Sequence, residues 1–228
     1  MIENINRYLD AAVLKPELSR EEATQAIREC IRFKTRTVCV RPCDIDLAVS
    51  MCEGTDTQVS CVLSFPHGTT PSNIKALEAA DYVRRGAHEI DMVANFGFIR
   101  SGMWEEVEQD IKGVVDAAKP AGILVKVIFE TCFLSVEEIK RTVEAAVSAG
   151  ADFVKTSTGF GTEGATEEGV RAMVEAAAGK IQVKASGGIR SRETAERFIA
   201  LGATRLGNGF TSNAAIIEGT ASGGNESY

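Results

Sequence analysis

The sequence has few of the residues from which metal centres and disulfide frameworks are built. Its only histidines are His67 and His88, and its six cysteines show no CxxC spacing. Thiolate and imidazole clusters that bind metals need such groups at close spacing. We therefore expect neither a metal nor another cofactor, and we interpret the cysteines as buried free thiols.

The chain also lacks a basic block and a long apolar run. Its 25 basic residues are outnumbered by 32 acidic ones, and the net charge of −7 disfavours a nucleic-acid partner. No window approaches the roughly 20 apolar residues of a membrane span, and the first ten residues are amphipathic and acidic. The sequence predicts a cytoplasmic protein with no membrane partner.

The composition is that of an ordinary globular protein, with 44% hydrophobic and 25% charged residues. A chain of 228 residues is long enough for one large domain or two small ones, so its length does not decide between them. The order of its predicted elements is more informative.

Short apolar segments alternate with helical patterns along the whole chain. Ser19 with Glu22 and Ser135 with Glu138 form capping boxes that open two of the helices. Eight strands are predicted, at residues 9–14, 37–40, 58–63, 89–93, 124–129, 152–155, 182–185 and 204–207.

Eight strand-helix units in this length favour a closed (β/α)₈ barrel, the TIM barrel, over an open doubly wound sheet. A glycine-rich dinucleotide-binding turn after a strand is also missing. We predict one barrel domain over residues 1–218 with a short N-terminal helix, and a flexible tail over residues 219–228.

Three helix-to-strand junctions share one local pattern, at residues 86–91, 150–155 and 202–207. Each begins with Gly-Ala, in which the glycine caps a helix and the alanine allows close packing, and a strand starts two residues later. The sixth residue of each junction therefore lies at the same height in the fold. By this count Asp91 and Lys155 are equivalent positions at the carboxyl ends of strands, where barrels carry their chemistry.

Charged side chains are concentrated at the predicted strand ends, although most are costly to bury unpaired. For Lys126 and Glu130 the favoured interpretation is an interior salt bridge. The remaining members of this group are Asp10, Asp91, Lys155 and Lys184.

Lys155 and Lys184 follow apolar strand residues and precede the glycine-bearing turns STGFG and ASGG. Two lysines at one barrel mouth disfavour each other's charged form, and a neutral amine attacks carbonyl carbons. With Asp91 as the acid/base group, the pattern predicts Schiff-base chemistry. Gly187 and Gly188 precede a predicted helix after strand seven, a position that favours phosphate binding.

Five motifs in order resemble the deoxyribose-phosphate aldolase family, class I aldolases with this barrel fold. They cover nearly the full length of the chain: FPHG at residues 65–68, EIDMVAN at 89–95, VKVIFETC at 125–132, GADFVKTSTGF at 150–160 and VKASGGIR at 183–190.

The resemblance implies reversible cleavage of 2-deoxy-D-ribose 5-phosphate into glyceraldehyde 3-phosphate and acetaldehyde. It implies that Lys155 is the Schiff-base lysine, that Lys184 is the second lysine, which favours a neutral Lys155, and that Asp91 is the proton-relay acid. Asp10 matches a first-strand aspartate that pairs with the second lysine, and Tyr228 matches a terminal tyrosine that reaches the active site. Substrate and phosphate contacts are expected at Thr156, Gly159, Gly187, Gly188, Asn208 and Gly209.

Two positions depart from the family pattern. Ala12 stands where the family usually has a threonine, and the serine-bearing turn after strand eight is replaced by Asn208, Gly209 and Phe210. The second change leaves open a related aldolase that acts on an altered or unphosphorylated aldehyde. A barrel that only binds a sugar phosphate is disfavoured, because a binder has no use for the lysine pair. The family further implies a homo-oligomer, either a dimer or a tetramer.

Overall fold

The computed structural model describes residues 2–219. Eight parallel strands close into a barrel in sequence order, and β1 pairs with β8 to complete the ring. The (β/α)₈ fold predicted from the alternation is confirmed. The strands are β1 Leu9–Val13, β2 Thr37–Val40, β3 Gln58–Leu63, β4 Glu89–Val93, β5 Leu124–Ile128, β6 Phe153–Lys155, β7 Gln182–Ser186 and β8 Arg205–Gly209.

Helices follow the strands and cover the outside of the barrel. Both capping boxes form as predicted, with Ser19 and Ser135 each accepting a bond from the backbone N–H of the glutamate three residues later. The helices are α1 Arg20–Arg32, α2 Ile45–Cys52, α3 Ser72–Arg84, α4 Phe96–Arg100, α5 Trp104–Ala118, α6 Val136–Ala149, α7 Glu167–Ala177, α8 Arg192–Ala200 and α9 Asn213–Glu218.

Apart from shifts of one or two residues at other element ends, the structure departs from the predicted elements at three places. Helix α4 follows β4, where Asn95 caps it by accepting a bond from the Phe98 N–H, and the sequence pattern did not predict it. Strand β8 continues to Gly209, two residues beyond its predicted end, because Ala12 of β1 still pairs with it there. The N-terminal helix is a single 3₁₀ turn, Ile5–Tyr8.

The core lies between the barrel wall and the helices. Leu, Ile, Val and Ala side chains on the outer face of the strands pack against the apolar faces of the helices. The inner face of the strands carries charged side chains instead. Burial of apolar area between the strands and the helices therefore stabilises the barrel. The inward-facing strand positions are not needed for this packing and can carry polar groups.

Two predictions fall at the ends of the chain. Residues 220–228, most of the predicted tail, lie outside the described residues together with Met1, so the domain boundary stays a prediction. Within residues 2–219, no helix has the length and apolar character needed to cross a bilayer.

Candidate active site

Seven charged side chains from six strands meet inside the barrel, from Glu89 and Arg205 at the first positions of β4 and β8 to Lys155 at the last position of β6. Successive strand residues face opposite sides, so Glu89 and Asp91, two residues apart on β4, both face inward. Each member of this group, here called the barrel cluster, is at most 7% exposed. The members are Asp10, Glu89, Asp91, Lys126, Lys155, Lys184 and Arg205.

Asp91 is at the centre of the barrel cluster. Its Oδ2 accepts hydrogen bonds from Lys155 Nζ at 2.8 Å and from Lys184 Nζ at 2.7 Å. Its Oδ1 accepts from Lys126 Nζ at 2.6 Å and from Ser60 Oγ at 2.9 Å. Burial alone would raise the pKa of Asp91, but the three ammonium groups hold it well below its usual range. Asp91 is therefore ionised at neutral pH.

Asp10 provides a second carboxylate beside Lys184. Its Oδ2 accepts from Lys184 Nζ at 2.6 Å, and its Oδ1 accepts from Arg205 Nη1 and Thr37 Oγ1, both at 2.8 Å. Burial opposes ionisation here too, yet the neighbouring Lys126, Lys184 and Arg205 lower the pKa of Asp10. The pairing of Asp10 with Lys184 is the arrangement that the family resemblance implied.

The three lysines of the barrel cluster differ in how many carboxylates contact them. Lys126 lies within 3.3 Å of Asp10, 2.5 Å of Glu89 and 2.6 Å of Asp91. Lys184 contacts Asp10 and Asp91, and Lys155 contacts Asp91. Exposure increases in the same order, from 0% at Lys126 through 1% at Lys184 to 4% at Lys155.

This order separates the lysines by chemistry. Burial disfavours the charged form of Lys126, but its carboxylate neighbours outweigh burial and raise its pKa. Lys126 is therefore a fixed cation, consistent with the interior salt bridges predicted for it. Lys155 has the fewest anionic contacts in the barrel cluster and the greatest exposure among its lysines.

The numbers of charges in the barrel cluster do not match. Its basic members are Lys126, Lys155, Lys184 and Arg205, four in all, and its acidic members are Asp10, Glu89 and Asp91, three in all. With every group ionised, one buried positive charge has no counterpart within the cluster. Release of one proton from a lysine gives a neutral set, which costs less to bury.

A polar cavity of about 160 Å³ adjoins the carboxyl ends of β6, β7 and β8. Gly159, Gly187, Gly188, Asn208 and Gly209, five of the predicted substrate and phosphate contacts, all line it. Asn208 Nδ2 is engaged elsewhere, because it donates to Asn213 Oδ1 at 2.8 Å, whereas Asn208 Oδ1 is buried and has no hydrogen-bond partner among the described residues.

Thr156, the sixth predicted contact, has a different environment. Its hydroxyl donates to the Ser186 carbonyl at 3.1 Å and accepts from the Ser186 N–H at 3.0 Å, and Thr156 is fully buried. This side chain ties β6 to β7 and is not among the residues that line the polar cavity.

The opposite side of the mouth is apolar. Ala12, Leu14, Cys39 and Val62 form a small buried cluster, with Phe65 packed against it. Ala12 lacks the hydroxyl that the family usually has here, and its methyl group belongs to this apolar wall. Burial raises the pKa of the Cys39 thiol, so Cys39 remains a neutral part of the same wall.

Two members of the barrel cluster were not predicted from the sequence, and the environment of Glu130 differs from the predicted one. Glu89 and Arg205 belong to the barrel cluster, and their signal was a charged residue two positions from another inward-facing strand residue. Glu130 was expected in a salt bridge, but in the described part of the chain its carboxylate bonds to the neutral Thr158. Tyr228 lies outside the described residues.

Comparisons with known proteins agree with this geometry. The family model described as DeoC/LacD family aldolase matches residues 8–224. A deoxyribose-phosphate aldolase from Streptococcus mutans is 45% identical over 94% of this chain and 96% of that protein. One from Bacillus mycoides is 43% identical over 99% of this chain and all of that protein.

Solved structures give the same result. An aldolase designated QR15 superposes with a TM-score of 0.89 at 40% identity, covering 96% of each chain. A deoxyribose phosphate aldolase from Aeropyrum pernix, described as a unique tetrameric structure, has a TM-score of 0.86 at 30% identity and covers 94% of this chain and 89% of that one. This chain belongs to the DeoC/LacD family of aldolases.

Proposed function

We propose that this protein is a class I aldolase that reversibly cleaves 2-deoxy-D-ribose 5-phosphate into D-glyceraldehyde 3-phosphate and acetaldehyde. The observation that carries the proposal is the position of Lys155, the amine of the barrel cluster with one close carboxylate among the described residues, at the end of the strand whose following loop lines a polar cavity. Relatives named for this reaction match nearly the whole chain.

In the proposed mechanism Lys155 is the nucleophile, and it enters the cycle as the neutral amine that the charge count of the barrel cluster favours. Its Nζ adds to the C1 aldehyde of the open-chain sugar, and the oxyanion that forms takes one proton from solvent to give the carbinolamine hydroxyl. Ionised Asp91, 2.8 Å from that nitrogen, accepts the N–H proton and passes it to this hydroxyl, which leaves as water. The product of this stage is an iminium ion on Lys155.

Cleavage follows from the iminium ion. The C3 hydroxyl loses its proton to ionised Asp91, the C2–C3 bond breaks, and the electron pair moves into the iminium to form an enamine. Glyceraldehyde 3-phosphate leaves, C2 of the enamine takes up a proton, and water then releases acetaldehyde and restores the amine. Lys184 donates a hydrogen bond to Asp91, and Asp10 accepts one from Lys184. These fixed charges stabilise the ionised form of Asp91 during the step.

The polar cavity is proposed to receive the 5-phosphate. Gly159, Gly187 and Gly188 let the backbone approach an anion closely, and Arg190 adds a positive side chain to the lining. The cavity keeps this capacity although Phe210 replaces a serine of the family pattern, because Thr211 and Ser212 also line it. We assign no substrate contact to the Thr156 side chain.

Two further properties are proposed from the family. A homo-oligomer, dimer or tetramer, is supported by the tetrameric relative from Aeropyrum pernix, and light scattering on the purified protein measures it. A cytoplasmic location suits a phosphorylated substrate, because a charged sugar phosphate crosses a bilayer poorly.

A substrate comparison tests the proposal. Purified protein is given 2-deoxyribose 5-phosphate and, separately, 2-deoxyribose, and acetaldehyde release is measured with each. We expect a much larger kcat/KM for the phosphorylated sugar. Equal efficiency with both would favour the related aldolase of unphosphorylated aldehydes, and no acetaldehyde from either would contradict the proposal.

A further inference from the structure

One wall of the polar cavity is a loop between β6 and α7. Gly159, Gly161, Thr162, Glu163 and Gly164 of this loop all line the cavity. The segment contains three glycines within six residues and no regular secondary structure, so its own backbone bonds do little to fix its shape. Contacts from elsewhere in the fold must hold it in place.

Glu130 supplies one of these contacts from the end of β5. One oxygen of its carboxylate accepts a hydrogen bond from the Thr158 N–H at 3.2 Å, and the other accepts from the Thr158 hydroxyl. The same hydroxyl accepts from the Phe160 N–H at 2.9 Å. A continuous chain of hydrogen bonds therefore links Glu130 to the loop at Thr158 and at Phe160.

The loop is also packed tightly against the Glu130 side chain. A Cβ atom added at Gly161 would lie 3.0 Å from the Glu130 carboxyl carbon and 3.0 Å from Cys132 Sγ. Only glycine fits at this position without moving its neighbours. Further along, Gly164 packs against the Gly187 backbone, and the Ala165 N–H donates to the Gly187 carbonyl at 3.2 Å.

The backbone of Glu130 is itself unusual. Its φ of 57° lies in the left-handed region, which disfavours residues with a side chain, and the residue is only 2% exposed. Glycine would adopt this conformation more easily, so a glutamate here implies a use for the carboxylate. Strained, buried residues of this kind occur preferentially at functional sites.

We propose that Glu130 is a positioning residue that sets the β6–α7 loop for the phosphate group of the substrate. The inference rests on the proposed aldolase function and adds to it the residue that makes the enzyme selective for a phosphomonoester. Glu130 acts through Thr158 and the loop, and makes no contact with the reacting carbons.

The electrostatics of Glu130 agree with this role. Burial raises the pKa of the carboxyl, and the bonds from Thr158 and, to a smaller extent, the positive charge of Lys155 oppose that rise. Thr158 therefore stabilises the ionised form of Glu130, and Glu130 in turn holds Thr158 and the loop in position. Loss of either partner leaves the other buried without its bond, which is costly.

The test compares kcat/KM for 2-deoxyribose 5-phosphate with kcat/KM for 2-deoxyribose in Glu130→Ala, Glu130→Gln and the unmodified protein. We expect the ratio of the two to fall about tenfold in Glu130→Ala, because a loop displaced by a fraction of an ångström loses its fit to phosphate. Glu130→Gln keeps one acceptor oxygen and should recover part of the ratio. A merely structural role would lower both values together.

Asp152→Asn is the matched control. Asp152 also accepts a backbone N–H, from Val125 at 2.8 Å, but at the amino end of β6 and so at the far end of the barrel. We expect it to leave the ratio unchanged. If Glu130→Ala does not fold, Thr158→Val removes the hydroxyl between Glu130 and Phe160 and tests the same link.

Binding of inorganic phosphate separates this inference from the proposed function. Calorimetry should show weaker phosphate binding by Glu130→Ala than by the unmodified protein, whichever sugar is cleaved. An unchanged phosphate affinity and an unchanged ratio would overturn the role of Glu130. An unmodified protein that binds phosphate but releases no acetaldehyde would contradict the proposed function instead.

Discussion

Two groups of buried charges in this molecule have opposite characters. One is the pair of Lys75 on α3 and Asp110 on α5, with Nζ and Oδ2 2.5 Å apart and exposures of 0% and 1%. Its remaining polar atoms are also occupied, because Lys75 donates to the Val93 carbonyl and Ser72 donates to Asp110. The other is the barrel cluster, which has one more basic group than acidic groups.

The pKa of a buried lysine is shifted in opposite directions in the two groups. Burial lowers the pKa of Lys75, and the single carboxylate of Asp110 only partly offsets it. Burial acts the same way on Lys126, but its three carboxylates raise its pKa. A matched pair away from any opening fastens two helices together. The barrel cluster instead concentrates carboxylates on its deepest lysine and leaves Lys155, nearest the mouth, with one.

The largest effect is expected from Lys155→Ala. Without the amine no iminium ion forms, and the C2–C3 bond has no electron sink. Turnover of 2-deoxyribose 5-phosphate should fall to the uncatalysed background, measured as acetaldehyde release over hours. The remaining cluster has equal numbers of charges, so the variant should fold; residual activity within tenfold of the unmodified rate would contradict the assignment.

Lys184→Leu should have the next largest effect. It removes a positive charge that shares Asp91 Oδ2 with Lys155, so the remaining cluster has equal numbers of opposite charges and no longer favours a neutral amine. We expect kcat at neutral pH to fall by about 10²–10⁴-fold, the range of one acid/base group. An unmodified rate at neutral pH would refute the argument from charge number.

Lys75→Met should affect stability and leave chemistry intact. Removal of one partner leaves Asp110 buried and unpaired, which typically costs about 3–5 kcal/mol of unfolding free energy. Denaturant unfolding measures the loss, while kcat/KM of the folded fraction should stay near that of the unmodified protein. The double variant Lys75→Met with Asp110→Leu should regain most of the stability, since no lone charge remains. A large loss of kcat in either variant would contradict the claim that Lys75 and Asp110 act only in stability.

Mild acid should have the smallest effect of these changes on the stability of the folded protein. The pKa values of Asp10 and Asp91 are lower in the folded chain than the ordinary value near 3.9. Their contribution to stability is therefore complete above about pH 4 and is lost as pH falls through the folded values, at roughly 1.4 kcal/mol per pKa unit. We expect acid unfolding well below pH 4. Lys184→Leu should unfold at higher pH, because both carboxylates lose a cation.

Much of the fold could be predicted from the sequence because its signals are local. The short apolar runs of the strands, the capping boxes at Ser19 and Ser135 and the repeated Gly-Ala junctions each depend on neighbouring residues. The equivalence of Asp91 and Lys155 within those junctions corresponds to a 2.8 Å contact in the structure. Helix α4 was missed because it has a single turn and only an asparagine cap.

Less of the site could be predicted from the sequence, because its contacts join residues that are far apart along the chain. Arg205 and Glu89 come from opposite parts of the chain, and only closure of the barrel brings Nη1 and Oε2 within 2.9 Å. Thr156 has a hydroxyl that could bind a substrate, but both of its hydrogen bonds are made with the backbone of Ser186. Glu130 looked like a salt-bridge partner, since neither its left-handed backbone nor its bond to Thr158 can be read from residue order.

The most direct test of the central claim is chemical trapping of the Schiff base. The protein is incubated with acetaldehyde, reduced with sodium borohydride, digested and examined by mass spectrometry, with Lys155→Arg as the matched control. We predict a single ethylated lysine, Lys155, and no adduct on Lys126 or Lys184 in either protein. Ethylation of Lys184 in place of Lys155, or no adduct at all, would contradict the account.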